Sequence, residues 1–316
     1  MRDAFVSALL EEMAANDRIV LVTGDLGFGV LRPVWERFPK QILNAGIAEQ
    51  AMVGLASGLA ATGRTMLVYS IGNFPTLRPL EQIRNDCAYH GADVKIICVG
   101  GGFVYGSLGM SHHATEDLSI LRALPGVRCY APGDPAEAVA ATRDMLHTAG
   151  TCYLRLGRGN EPRVHPGPVT GWKSPEALTL RRGKDIALLS CGGILTQAME
   201  AAGILAEKGI EAEVVSFPCL KPLDEERVRA LLARYPDLLT VEENTIVGGF
   251  GSAVCELAAE ARSGCRVHRI GLRDCYASVV GSQQYLRKIY GMDGAAIAEK
   301  AAAIINEKRT DARGNP

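Results

Sequence analysis

Glu49 stands where a carboxyl can do acid chemistry. It heads a run of small and apolar residues: Ala51, Met52, Val53, Gly54, Leu55, Ala56, Ser57, Gly58, Leu59, Ala60 and Ala61. A carboxyl set against such a helix is poorly solvated, which favours its protonated form. An acid that keeps its proton near neutral pH can donate a hydrogen bond in catalysis. A helix-start glutamate favoured by the helix dipole explains the same residue without any chemistry. His112 and His113 are a second group of interest. Neighbouring side chains point apart, so the pair is not expected to chelate a metal, whereas His112 alone can shuttle protons near neutral pH.

The bounds are those of an ordinary globular protein. At 316 residues the chain fits two domains. Its 47% hydrophobic content supplies buried cores, and 22% charged residues is unexceptional. A net charge of −1 argues against a nucleic-acid surface. No apolar run reaches the ~20 residues of a membrane span, so no membrane role is expected. The first residues turn polar at once, without a signal-peptide block. The nine cysteines are scattered, none in a Cys-x-x-Cys pair. Neither a zinc site nor a disulfide scaffold is suggested, and a cytoplasmic setting is expected.

Strand-like and helix-like segments alternate, the sign of α/β units with mostly parallel sheets. In the first unit, 1–160, strands are expected at 19–23, 65–70, 94–99, 127–131 and 152–156. Helices are expected at 3–15, 49–62, 80–89, 119–124 and 135–147. Proline and glycine break the pattern over 161–183, which reads as an ordered connector. A second unit, 184–308, has strands at 186–190, 212–217, 238–242 and 266–270. Its helices fall at 195–208, 224–235, 251–261, 286–290 and 295–308, and a polar tail, 309–316, is expected to fray. The fold class is therefore two doubly wound α/β domains.

Gly24-Asp25-Leu26-Gly27-Phe28-Gly29 follows a strand but lacks the Gly-x-Gly-x-x-Gly spacing of a dinucleotide site. A different likeness is specific. Gly46-Ile47-Ala48-Glu49-Gln50 resembles the glutamate motif of the pyrimidine-binding domain in transketolases and 1-deoxyxylulose-5-phosphate synthases. The run Ser111 to Arg122 resembles the histidine loop and helix of the same families, and Leu154 to Gly159 the end of that domain. Glu242-Glu243-Asn244 with Gly248-Gly249-Phe250-Gly251 is similar to the transketolase C-terminal domain. The likeness runs in order along nearly the whole chain.

That resemblance implies thiamine diphosphate as cofactor. Glu49 would donate a hydrogen bond to the far ring nitrogen of its aminopyrimidine and so activate it. Phe74 would stack on that ring, unless it is a core phenylalanine. Arg78 would line the same cleft or pair with an acidic neighbour. Asp25, at a strand's carboxyl end, would face the cleft, unless it only shapes a turn. His112 would bond the carbonyl and hydroxyl of a sugar substrate. Arg158, with Arg155 the weaker candidate, would fork onto its phosphate or sulfonate, unless it forms only a surface salt bridge.

The family's diphosphate domain carries Gly-Asp-Gly, and this chain has none. The resemblance therefore implies the C-terminal subunit of a split transketolase. An N-terminal partner subunit would hold the diphosphate and Mg2+ or Ca2+, with no metal on this chain. A homodimer of this chain would sit within a heterotetramer. Leu108 and Gly100 stand where familiar transketolases have an aspartate and a histidine that read the sugar. A modified or deoxy sugar is thus expected. Two alternatives remain open: the beta subunit of a 2-oxo acid dehydrogenase decarboxylase component, and a non-catalytic scaffold or regulatory module.

Overall fold

The computed structural model describes the backbone of residues 1–311 and the side chains of residues 1–307. The chain opens with α1 (Arg2–Ala15) and β1 (Ile19–Thr23), a strand buried along its whole length. Next come α2 (Arg32–Arg37), β2 (Ile42–Asn44), α3 (Glu49–Ala60) and β3 (Thr65–Ile71). Two short turns, α4 (Phe74–Leu77) and α5 (Leu80–Gln82), run into a π-helical stretch, Ile83–Ala88. Then follow β4 (Val94–Val99), α6 (Asp117–Ala123), β5 (Arg128–Tyr130), α7 (Pro135–Leu146) and β6 (Cys152–Leu156). The second half holds β7 (Leu178–Arg181), β8 (Ile186–Cys191), α8 (Leu195–Glu207), β9 (Ala212–Ser216) and β10 (Cys219–Lys221). It closes with α9 (Glu225–Arg234), β11 (Asp237–Thr245), α10 (Phe250–Glu260), β12 (Arg266–Leu272), α11 (Gln283–Ile289) and α12 (Gly294–Asp311).

Two sheets organise these elements. The first has seven strands in the order β10-β5-β6-β4-β3-β1-β2, the second five in the order β12-β11-β8-β9-β7. Every pairing is parallel except β10 with β5 and β7 with β9. Strands such as Val94–Val99 and Ile186–Cys191 are buried at every position. That continuous burial is what a parallel sheet covered on both faces requires. Two doubly wound α/β domains are therefore present, as the pattern predicts.

Three expectations need correction. The stretch read as connector, 161–183, contains β7, which adds an antiparallel edge to the second sheet. Its alternating Leu178, Thr179, Leu180 and Arg181 were hidden among prolines and glycines. The second half also returns a strand to the first sheet, because β10 pairs with β5. Three residues before a proline carry no readable period. The helix expected at 80–89 is π-wound over most of its length. Of the tail 309–316, residues 312–316 lie outside the described residues, and 309–311 end α12.

One core runs through both halves. Cys129, Ala131, Phe217, Leu220 and Phe250 belong to a single buried cluster. Lys221 fixes the crossing by donating to the carbonyls of Arg122 (2.9 Å) and Leu124 (2.5 Å). Asp134 joins them again: one oxygen caps α7 through the Ala136 and Glu137 amides, the other accepts from Val164 and His165.

Candidate active site at the carboxyl edge of the first sheet

The candidate residues leave neighbouring strands at one edge. Asp25 follows β1, Glu49 follows β2, Phe74 and Arg78 follow β3, His112 lies in the loop after β4, and Arg158 follows β6. In the sheet these strands stand in the order β6-β4-β3-β1-β2. At ~4.8 Å per strand the row spans about 19 Å. Ligands bind beyond such strand ends in open α/β sheets.

Glu49 is the first residue of α3 and only 6% exposed. Both of its carboxylate oxygens accept from Nη1 of Arg78, at 3.0 and 2.9 Å. The Arg78 side chain is 51% exposed. Its guanidinium also lies over the Phe74 ring, 4.4 Å from the centroid. The half-buried Phe74 ring meets the His112 ring edge-on at 5.2 Å. Glu49, Arg78, Phe74 and His112 thus form one continuous chain of contacts.

Glycine makes the approach of Phe74 and His112 possible. Gly72 has φ of +54°, and a Cβ there would lie 2.8 Å from the His112 carbonyl oxygen. The Ser111 hydroxyl lies 3.1 Å from His112 Nδ1. His113 turns away, buried edge-on against Phe103 at 5.3 Å, and burial lowers its pKa. The two histidines do not share a target.

Asp25 adopts a left-handed conformation, φ +57°, and is exposed. Asn44 holds it there, accepting from the Asp25 amide (2.9 Å) and donating to its carboxylate (3.2 Å). The same Asn44 oxygen accepts from the Gly46 amide at 3.0 Å, steering the loop that ends at Glu49. Asn44 is a positioning residue that motif reading passed over. Its signal was an asparagine two residues before a turn glycine, the spacing of an Asx turn.

Arg155 and Arg158 part company. Arg158 is exposed, with its guanidinium 5.6 Å from the Tyr105 ring centroid. Arg155 is only 5% exposed. It pairs with Asp117 at 3.0 Å and donates to the carbonyls of Ala114 and Glu243, at 2.5 and 2.9 Å. Burial raises the Asp117 pKa against the pull of Arg155. Arg155, expected as the weaker contact for a substrate anion, instead lies within β6, a strand buried along its whole length, where its partners tie the two halves together.

The paired glutamates of the second half serve structure. Glu242 is fully buried and accepts from the amides of Phe250 and Gly251, both at 2.8 Å. Burial pushes its pKa up to about 7. Glu243 accepts from the Phe103 amide (2.6 Å), Gln283 (2.9 Å) and Arg287 (2.6 Å). It thereby holds the loop after β4 against the second half.

Comparison with known proteins gives the family of the chain. Residues 1–163 match the family described as transketolase, pyrimidine binding domain, and residues 176–297 match the transketolase C-terminal domain. The chain belongs to the transketolase family. It is 32% identical to a putative transketolase C-terminal section of Methanocaldococcus jannaschii, over 95% of this chain and 94% of that protein. It is 33% identical to a 6-deoxy-6-sulfo-D-fructose transketolase subunit of Clostridium sp., over 98% of this chain and 95% of that subunit. A solved structure described as a split gene transketolase, inactive beta4 tetramer, superposes with a TM-score of 0.88 at 31% identity. That superposition covers 96% of this chain and 98% of the other.

A transketolase implies thiamine diphosphate, and the edge residues fit its aminopyrimidine end. A cleft of about 410 Å3 is lined by Ile47 to Ala51 and Arg78, with the Glu49 carboxylate on its wall. Phe74 supplies a flat ring beside it. Among the described residues no group of three or more His, Cys, Asp or Glu is placed to hold a metal ion.

Proposed function

We propose that this chain is the C-terminal subunit of a split, thiamine-diphosphate-dependent transketolase. It moves a two-carbon ketol unit from a ketose to an aldose. The observation that carries the reading is the Glu49–Arg78–Phe74–His112 chain at one sheet edge. When bound, the cofactor would supply a carbon nucleophile. Glu49 binds the far ring nitrogen of the aminopyrimidine and holds a proton between the two. Phe74 stacks on that ring, which adds ~0.5–1.5 kcal/mol beyond burial. Asp25, held by Asn44, closes the cleft on the β1 side. His112 orients the sugar carbonyl and moves a proton at its hydroxyl. Arg158 takes the anionic end of the sugar.

A partner subunit completes the site. Phe28 (73% exposed) and Ile47 (74% exposed) stand beside the candidate edge. Apolar side chains so exposed suit a covering protein surface. The proposed partner is an N-terminal transketolase subunit that holds the diphosphate and Mg2+ or Ca2+. The active species is a heterotetramer built on a homodimer of this chain, and the split-gene tetramer supports self-association. The scattered spacing of the nine cysteines supports a cytoplasmic setting.

A modified or deoxy ketose is the proposed donor. Support comes from Leu108 and Gly100, and from the Clostridium relative named for a sulfonated deoxy sugar. The test is co-purification with the N-terminal subunit and assay against a ketose panel. Faster turnover of xylulose 5-phosphate than of any modified ketose would remove the specialised substrate. Carbon dioxide release from pyruvate or branched 2-oxo acids would point to the decarboxylase instead.

A further inference from the structure

Tyr105 is a half-buried polar residue beside Arg158 with no task in the account above. It lies in the loop after β4, and its ring covers Gly100. A Cβ on Gly100, whose φ is +94°, would lie 2.1 Å from the Tyr105 ring. Only glycine permits that seat. The amides of Gly100 and Gly101 both donate to the Leu156 carbonyl, at 2.8 and 3.0 Å. That clamp brings the loop beside the end of β6, two residues before Arg158.

The ring and the guanidinium then meet. Arg158 lies 5.6 Å from the Tyr105 ring centroid. A guanidinium seated over an aromatic ring keeps its edge N–H groups free to fork onto an oxyanion. Burial raises the Tyr105 pKa, against the pull of Arg158 and Arg2, so the phenol keeps its proton. Among the described residues no hydrogen bond is formed by the Tyr105 hydroxyl. A half-buried phenol donor thus stands beside two cations at the edge that carries the active-site row.

We propose that Tyr105 is a specificity-determining residue that donates its phenol hydrogen to the oxyanion at the far end of the ketose. Its ring also walls the site over Gly100 and seats Arg158. The substrate class is a ketose with a terminal phosphate or sulfonate, rather than an uncharged sugar. This inference rests on the proposed role of Arg158 in facing substrate.

The experiment uses the complex with the N-terminal subunit, saturated with cofactor. Three ketoses are compared: one phosphorylated, one sulfonated and one uncharged. Tyr105→Phe removes only the hydroxyl and leaves the ring over Gly100. Loss of one hydrogen bond to a charged group should raise KM for the charged ketoses ~10-fold and kcat less than twofold. The uncharged ketose should show no matching rise in KM, which a general packing defect would not spare. The phosphate and sulfonate arms show which anion loses more. Arg158→Ala, measured in parallel, should raise KM for the charged ketoses further. If Arg158→Ala discriminates by charge and Tyr105→Phe does not, the Tyr105 assignment is overturned and the Arg158 reading stands. If Arg158→Ala leaves charged ketoses untouched, the Arg158 reading falls and the inference falls with it.

Discussion

Arg78 donates to both oxygens of Glu49 while its guanidinium covers the face of Phe74. The acid and the aromatic platform proposed for the aminopyrimidine are thus joined by one flexible cation. A ring that takes the same face of Phe74 and bonds Glu49 displaces it. The half-exposed ion pair contributes about 0–1 kcal/mol. The cation–π contact adds about 0.5–1 kcal/mol.

Arg78→Ala should therefore tighten thiamine diphosphate in the assembled enzyme, by a few-fold and at most about tenfold (~1.4 kcal/mol). Calorimetric titration of the complex measures it. Weaker binding in the variant would mean that the guanidinium itself contacts the cofactor.

Gly72→Ala tests how closely β3 and the histidine loop must approach. The new methyl would meet the His112 carbonyl at 2.8 Å, on a backbone already left-handed. The conformation alone costs about 1–2 kcal/mol. Turnover should fall with it, because the clash pushes away the loop that carries His112, the residue proposed to orient the sugar. Thermal melting and ketose turnover on the same preparation decide this, and unchanged turnover would separate His112 from the chemistry.

Asp117→Asn tests the interior role assigned to Arg155. The change leaves a buried guanidinium without its carboxylate, and breaking such a pair costs about 3–5 kcal/mol. Urea unfolding should show a loss of that size. A stable variant with impaired KM for charged ketoses would instead return Arg155 to the substrate.

Glu242 gives a pH signature. Its pKa is pushed up to about 7 by burial, above the ordinary carboxylate value of 4.5. A group that holds its proton more tightly when folded contributes stability below its unfolded pKa and loses it as pH rises through the folded one. The window is therefore about pH 4.5 to 7, and the loss is on the order of a few kcal/mol. Melting temperature across that window should fall more in the native chain than in Glu242→Gln. Parallel curves would show that Glu242 does not titrate there.

What the sequence revealed and what it hid divide along contact range. Glu49, Phe74 and His112 could be singled out as candidates because each sits in a short local motif, and the structure joins them through Arg78 and ring contacts. β1, β4 and β6 were legible because fully buried parallel strands read as apolar runs. β10 was not, since three residues have meaning only beside β5. The interior partners of Arg155 were hidden for the same reason, because Asp117 and Glu243 lie far from it in the chain. The consequence of Gly100 emerged only in three dimensions, where Tyr105 covers it.

The central claim is that Glu49 activates the cofactor, and proton exchange reports on it most directly. The reactive C–H of thiamine diphosphate, bound in the complex with the N-terminal subunit, is followed by deuterium exchange and acid quench. Positioned acid–base groups contribute ~10²–10⁴-fold. Glu49→Gln should slow the exchange by a factor in that range with the cofactor still bound. Exchange at the native rate in the saturated variant would contradict the account.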